Sequence, residues 1–312
     1  MSNSIVIQVS STVIKNMEIK YAPFIQPKVP QGGVFMAKVP SCTITAYKSG
    51  KVMFQGGRAT EEASQWQANA IAPKASVKKN VNDHSYAPPA SIATMSIAGS
   101  DEVGTGDYFG PMTVVAVYVD AAQIPLLQEL GVKDSKNLND TQICEIAKQL
   151  LAVVPYSSLI LHNEKYNEMF EKGYNQGQLK AMLHNKAIIN LLAKIAPTKP
   201  EGILIDQFTQ PATYYKYLAK QKNVQRENVY FATKGESVHI AVAAASILAR
   251  YSFVKKFDEL SKKAGMPLPK GAGNQVDVAA AKLIQKLGKD RLHEFVKLHF
   301  ANTEKAFRLL KR

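Results

Sequence analysis

Apolar and polar positions alternate in short blocks over the first 70 residues. A strand is expected at residues 5–9. Val13, Met17 and Tyr21 fall at helical spacing behind Ser and Thr residues able to cap, which predicts a helix over 12–22. Three short strands are expected at 33–39, 43–47 and 51–55, the last two joined by a tight turn at Ser49-Gly50. Gly56-Gly57 ends the third, and Thr60, Glu61 and Glu62 open a helix over 60–70. A curved antiparallel sheet packed on helices follows. Its outer face is expected to present Lys38, Lys48, Lys51 and Arg58 with Tyr47 and Phe54 between them. Basic and aromatic residues so interleaved suit a nucleic-acid platform; an ordinary solvated face is the plainer alternative.

From residue 96 the pattern changes to strands alternating with helices. Strands are expected at 96–101, 111–119, 157–162, 202–206 and 228–233. Of these, 111–119 (PMTVVAVYV) is β-branched enough to be buried on both faces. Helices are expected at 139–153, 178–195, 238–257, 275–287 and 291–310. Such alternation predicts an α/β layer with a mixed sheet. Between the two patterns, APKASVKKNVNDHSYAPPAS (72–91) has three prolines and no periodicity, so it reads as a linker. The expected organisation is a small domain at 1–72, a linker at 73–91 and a larger domain at 92–312.

Composition narrows the classes. The chain has 312 residues with 46% hydrophobic content, enough for a sizeable core. No apolar run approaches the length of a membrane span, and the N-terminus lacks the basic flank of a signal peptide, so a cytoplasmic protein is expected. Two cysteines, Cys42 and Cys144, exclude a disulfide framework, and neither has the neighbours of a zinc site. The net charge of +14 favours a polyanionic partner. Residues 1–90 carry 10 Lys and Arg against 4 acids, a net +6; the remainder carries 29 against 21, a net +8.

Against that basic background, acids at strand ends stand out. Asp101 and Glu102 close the 96–101 strand, Asp206 closes GILID, and Glu236 follows the last strand at the start of a helix. A carboxylate at the tip of a buried strand is uncommon unless paired or metal-bound. If the two strands are neighbours, the acids converge, and clustered carboxylates stay ionised only beside cations. Two hard divalent ions, Mg²⁺ or Mn²⁺, are the expected compensation, and such a pair suits phosphodiester hydrolysis. Adjacent strand residues face opposite ways, so Asp101 and Glu102 can share a site only if the strand ends or twists at Glu102. Capping and surface roles are the alternative for Glu236 and Glu102.

DEVGTGDYFGP (101–111) resembles the opening motif of the type 2 ribonucleases H, and its GDYFGP ending is most similar to the ribonuclease HIII branch. KDSKNL (133–138), ILIDQF (203–208), TKGES (233–237), AAASILAR (243–250), LPKGAG (268–273) and LHFANTEKA (298–306) follow in the family's order. The resemblance implies a ribonuclease H-like fold, with a small N-terminal α+β domain similar to the TATA-box-binding-protein fold. It implies endonucleolytic cleavage of the RNA strand of an RNA–DNA hybrid, leaving 5′-phosphate and 3′-hydroxyl ends. It places the metals on Asp101, Glu102, Asp206 and Glu236; relatives often have Asp at the last position, so Glu236 adds one methylene. Gly104-Thr105-Gly106 stands where type 2 relatives often have Gly-Arg-Gly. Without that arginine, longer RNA tracts fit better than single embedded ribonucleotides.

Around this site, Gly104, Thr105 and Gly106 suit close approach to a sugar, where the 2′-hydroxyl distinguishes RNA. Ser135 and Lys136 suit a phosphate, as does a turn with a solvated Lys. Tyr166 and Asn167 could read the minor groove or simply pack. Lys270 sits in a loop suited to backbone contact, while Lys48 and Lys51 belong to the basic small domain. His239, among apolar helix positions, reads as structural. A monomer without an obligatory protein partner is expected. A DNA-directed nuclease of the same fold and a non-enzymatic nucleic-acid binder are the other classes open.

Overall fold

The computed structural model describes residues 4–30, 32–67, 85–132 and 138–310. They fall into two compact units, divided between residues 80 and 81. No helix among them is long and apolar enough to cross a membrane.

The first unit runs β1 (Ser4–Gln8), α1 (Ser11–Lys20), β2 (Gly33–Val39), β3 (Cys42–Tyr47), β4 (Lys51–Gln55) and α2 (Ala59–Gln67). Its antiparallel sheet has the order β1-β4-β3-β2. Ile44, Ala46, Val52 and Phe54 form one core with Met17 of α1 and Trp66 of α2. That corrects the expected position of Phe54, which is fully buried. Lys51 is exposed at the start of the same strand, and a period of two forbids residues 51 and 54 from sharing a face. Lys38, Lys48 and Lys51 are exposed, as expected. A four-stranded sheet backed by two helices is compatible with the TATA-box-binding-protein-like module.

In the second unit, β5 (Ile97–Val103), β6 (Met112–Val119), β7 (Tyr156–Leu161), β8 (Gly202–Asp206) and β9 (Val229–Ala232) follow the predicted strands closely, but for small shifts at their ends. They form a mixed sheet of order β7-β6-β5-β8-β9. The pairs β5–β6 and β6–β7 are antiparallel; β5–β8 and β8–β9 are parallel. The helices are α3 (Ile124–Glu129), α4 (Asp140–Val153), α5 (Asn163–Glu171), α6 (Gln176–Ile195), α7 (Pro211–Tyr217), α8 (Ile240–Ala264), α9 (Asn274–Leu287) and α10 (Asn302–Leu310). Odd-numbered residues of β5 face α8 and α4, and even-numbered ones face α6. Residues 241–249 of α8 are buried on every side and apolar but for Ser246, as a helix inside the core must be. It lies so close to β5 that a Cβ on Gly99 would come 2.4 Å from the Ala241 backbone.

Two expectations are corrected here. Residues 85–91 of the expected linker pack on the second unit: the Tyr86 carbonyl accepts from the Phe231 N–H at 3.0 Å, and its ring lies 5.4 Å from that of Tyr215. Residues 68–84 lie outside the described residues. The helix expected over 291–310 is instead a 3-10 turn (Lys289–Glu294) and α10. Residues 295–297 between them give their backbone to the 108–110 loop: Gly110 N–H donates to Phe295, and Lys297 N–H donates to Tyr108.

Candidate active site

The acids stand at the tips of the two central parallel strands. Ser100 pairs with Ile205, so Asp101 and Asp206 come next along neighbouring strands, both facing α8. Asp101 Oδ1 accepts from the Glu102 N–H at 2.7 Å, and Ser246 of α8 hydrogen-bonds the same carboxylate. Burial, then the charges of Glu102 and Asp206, push the Asp101 carboxyl well above its usual range. Asp206 Oδ1 accepts from the Gly235 N–H at 2.7 Å, which ties the strand tip to the turn before α8. Glu236 is buried in that turn, a 3-10 turn at Gly235–Ser237. It does not open α8, which starts at Ile240 with His239 as its N-cap; Lys234, at φ 57°, redirects the chain between the two strand ends.

Glu102 goes the other way. β5 continues to Val103, with Glu102 still paired to Val114, so the pleat turns its side chain toward α6. There Lys180 Nζ forms an ion pair with Oε1, and His184 Nε2 lies 2.8 Å from Oε2. His184 Nδ1 is 2.5 Å from Ser100 Oγ, so the ring bridges Ser100 and Glu102. Burial alone would raise the Glu102 carboxyl, but His184 and Lys180 more than offset it and hold the group below its usual range. Among the described residues, no three His, Cys, Asp or Glu side chains are arranged to hold a metal ion. The convergence expected of all four acids is therefore only partial, because the pleat divides Glu102 from Asp101. Neither Lys180 nor His184 was expected at the site; their spacing of four on one amphipathic helix is the signal that would have found them.

Beside the acids, residues 104–107 make a turn. Gly104 has φ +94°, and a Cβ there would meet the Pro111 carbonyl at 2.3 Å and the Phe253 ring at 2.9 Å, so the close approach requires glycine. Gly106 is exposed with open space around it. The Thr105 carbonyl accepts from Gln176 Nε2 of α6 at 2.9 Å. Asp107 Oδ1 accepts from the Gly271 N–H at 2.6 Å, joining the turn to the 268–273 loop. Lys297, fully buried, donates to the carbonyls of Asp107 and Gly110 at 2.7 and 2.6 Å.

The remaining expected residues fare differently. Tyr166 is fully buried and stacked on Phe170 and His299, so it packs and presents no face to a groove. Asn167 is also buried; its amide donates to the carbonyls of His293 and Val296 and accepts from the Leu298 N–H. Lys270 is exposed but ion-paired with Asp140 at 2.5 Å, which Arg250 also holds. Despite partial burial, these cations keep the Asp140 carboxyl below its usual range. Ser135 and Lys136 lie outside the described residues. His239 is structural as expected: Nδ1 accepts from the Ala241 N–H and Nε2 contacts the Met95 carbonyl. Two cavities, of about 480 and 420 Å³, open elsewhere; Thr198 lines both, and Tyr118 and Pro155 line the first.

A mixed five-stranded sheet with acids at the tips of its central parallel strands places the second unit in the ribonuclease H-like class. A family described as Ribonuclease HII matches residues 98–303, and one described as a domain of unknown function (DUF3378) matches residues 4–79. Relatives called Ribonuclease HIII from Bacillus mycoides and Bacillus cereus are each 83% identical, over 312 and 311 residues, covering 100% of both chains. A solved structure of Bst-RNase HIII in complex with Mn²⁺ is 43% identical with a TM-score of 0.71, covering 99% of this chain and 100% of that one. The ribonuclease H2 from Pyrococcus horikoshii OT3, at 22% identity and a TM-score of 0.56, covers 70% of this chain and 100% of its own, and shares the fold. The chain belongs to the type 2 ribonuclease H family, in its ribonuclease HIII branch. It is a ribonuclease H enzyme.

Proposed function

We propose that the enzyme hydrolyses the RNA strand of RNA–DNA hybrids at the acids Asp101, Glu102, Asp206 and Glu236, using two divalent ions and leaving 5′-phosphate and 3′-hydroxyl ends. The observation that carries this reading is Asp101. Its buried carboxyl is pushed well up by burial and by the charges of Glu102 and Asp206, as crowded carboxylates are. The donor set fits: the acids offer hard oxygens and no sulfur, which suits Mg²⁺ or Mn²⁺. Bound there, such ions would supply the charge that stabilises the attacking and leaving oxygens of an in-line displacement at phosphorus.

The chain's own groups position the strand. The 104–106 turn, held at the Thr105 carbonyl by Gln176, offers open backbone at Gly106 for a ribose and its 2′-hydroxyl. With no arginine in the turn, cleavage within longer RNA tracts is the expected preference. Lys270 and Lys136 would neutralise phosphates of the hybrid, and Ser135 would hydrogen-bond to one. The 1–72 domain, through Lys48 and Lys51 among others, would also grip the hybrid. The enzyme is read as a cytoplasmic monomer.

The test is a set of matched duplexes (RNA–DNA, single-ribonucleotide DNA, all-DNA and all-RNA), each with Mg²⁺ or Mn²⁺, with the cut sites and end groups mapped. Equal cleavage of all-DNA duplex would overturn the reading. Asp101→Asn and Asp206→Asn should each abolish hydrolysis while hybrid binding persists; retained activity in either would remove that residue from the site.

A further inference from the structure

We propose that Lys180 is an internal cation that competes with a divalent ion for Glu102 and so sets how tightly the acidic site holds metal. This rests on the reading that Glu102 is one of the metal-binding acids. Both oxygens of Glu102 are already engaged, Oε1 by Lys180 and Oε2 by His184. The pair is largely out of water, with side chains 13% and 9% exposed. The Lys180 ammonium also sits 4.1 Å from the centroid of the Phe208 ring, which stacks on His184 at 5.3 Å. Lys180 and His184 are one turn apart on α6, so a single helix face presents both to the carboxylate.

Two consequences follow from this placement. A cation in contact with one of the acids repels a second cation brought to the same acids, and little water intervenes to screen it. Oε1 also cannot serve Lys180 and a metal equally well. Affinity for metal is therefore held below what four carboxylates alone would give. In the metal-free chain the same ion pair prevents Glu102 from remaining a buried, uncompensated charge beside Asp101.

The test uses the whole chain with Lys180→Met, which keeps the aliphatic stem over Phe208 and removes the charge. Mn²⁺ binding is measured by calorimetry, and thermal unfolding is followed in EDTA and in Mn²⁺. Lys180→Met is expected to bind Mn²⁺ several-fold more tightly, to unfold at lower temperature in EDTA, and to gain more from Mn²⁺ than the native chain does. Lys180→Arg, which keeps the charge, should bind Mn²⁺ as the native chain does. Should Lys180→Met fail to fold without metal, Lys180→Gln makes the same charge comparison. Native or weaker Mn²⁺ binding in the neutral variant would overturn the proposal. Glu102→Gln separates the two claims. If it leaves Mn²⁺ affinity unchanged, Glu102 is no ligand and the functional reading fails at that residue. If it weakens binding while Lys180→Met does not tighten it, only the present proposal fails.

Discussion

Lys297 carries an amine that is fully buried between two carbonyls of the 107–110 loop. Burial pulls it down to about 7, against a weaker pull upward from Asp107. Below that pH the group is charged in both the folded and unfolded chain. Between about 7 and its ordinary 10.5, only the unfolded chain holds the extra proton, so this group favours folding less as pH falls through that window. Stability from this group is lowest below about 7, where the buried amine must carry its charge, and rises with pH through that window because the unfolded chain binds more protons. The native chain should therefore gain stability relative to Lys297→Met across that window, read as the difference between their urea unfolding curves at successive pH values. Gly104 makes a simpler case. Gly104→Ala must place a Cβ against the Pro111 carbonyl at φ +94°, and should lose about 1–3 kcal/mol in the same measurement. At this scale the sequence was informative about which acids matter, because a carboxylate at the end of an apolar strand is costly without a purpose. It was less informative about where they point. The pleat turns Glu102 to the face where Lys180 and His184 meet it, and they lie 78 and 82 residues away along the chain.

Among the elements, α6 has most to do with the site. Its first residue, Gln176, fixes the Thr105 carbonyl, and its next two turns carry Lys180 and His184. Asn175 and Gln178 form a capping box that sets the helix start and so the aim of Gln176. Gln176→Leu should loosen the 104–106 turn without touching the acids, raising KM for hybrid with kcat nearly unchanged in steady-state assays. The long elements of the fold were legible because their periods are clean: 2 in β4, 3.6 in α6, and unbroken apolar residues in β6. The short helices α3, α5 and α7 were not, since six to nine residues give too few turns to show a face. The C-terminal helix was drawn too long because nothing local reveals that residues 295–297 direct their hydrogen bonds to a loop far earlier in the chain.

For the molecule as a whole, the charge of +14 divides into a dense +6 over the first 90 residues and a sparser +8 beyond. The exposed lysines Lys38, Lys48 and Lys51 lie in the denser part. Replacing all three with Ala should weaken hybrid binding most at low salt. The slope of log affinity against log salt should fall by about 0.9 for each phosphate that is no longer neutralised. An unchanged slope would mean that these lysines only solubilise the chain.

The clamp at Lys297 has a consequence for how the enzyme is made. It joins residue 297 to carbonyls at 107 and 110, across 190 and 187 positions of chain. On the ribosome, the strands bearing Asp101 and Asp206 emerge long before the segment that secures the loop beside them. A nascent chain thus carries its acids before the turn beside them can be held. The turn beside the acids can be secured only after residue 297 has been made.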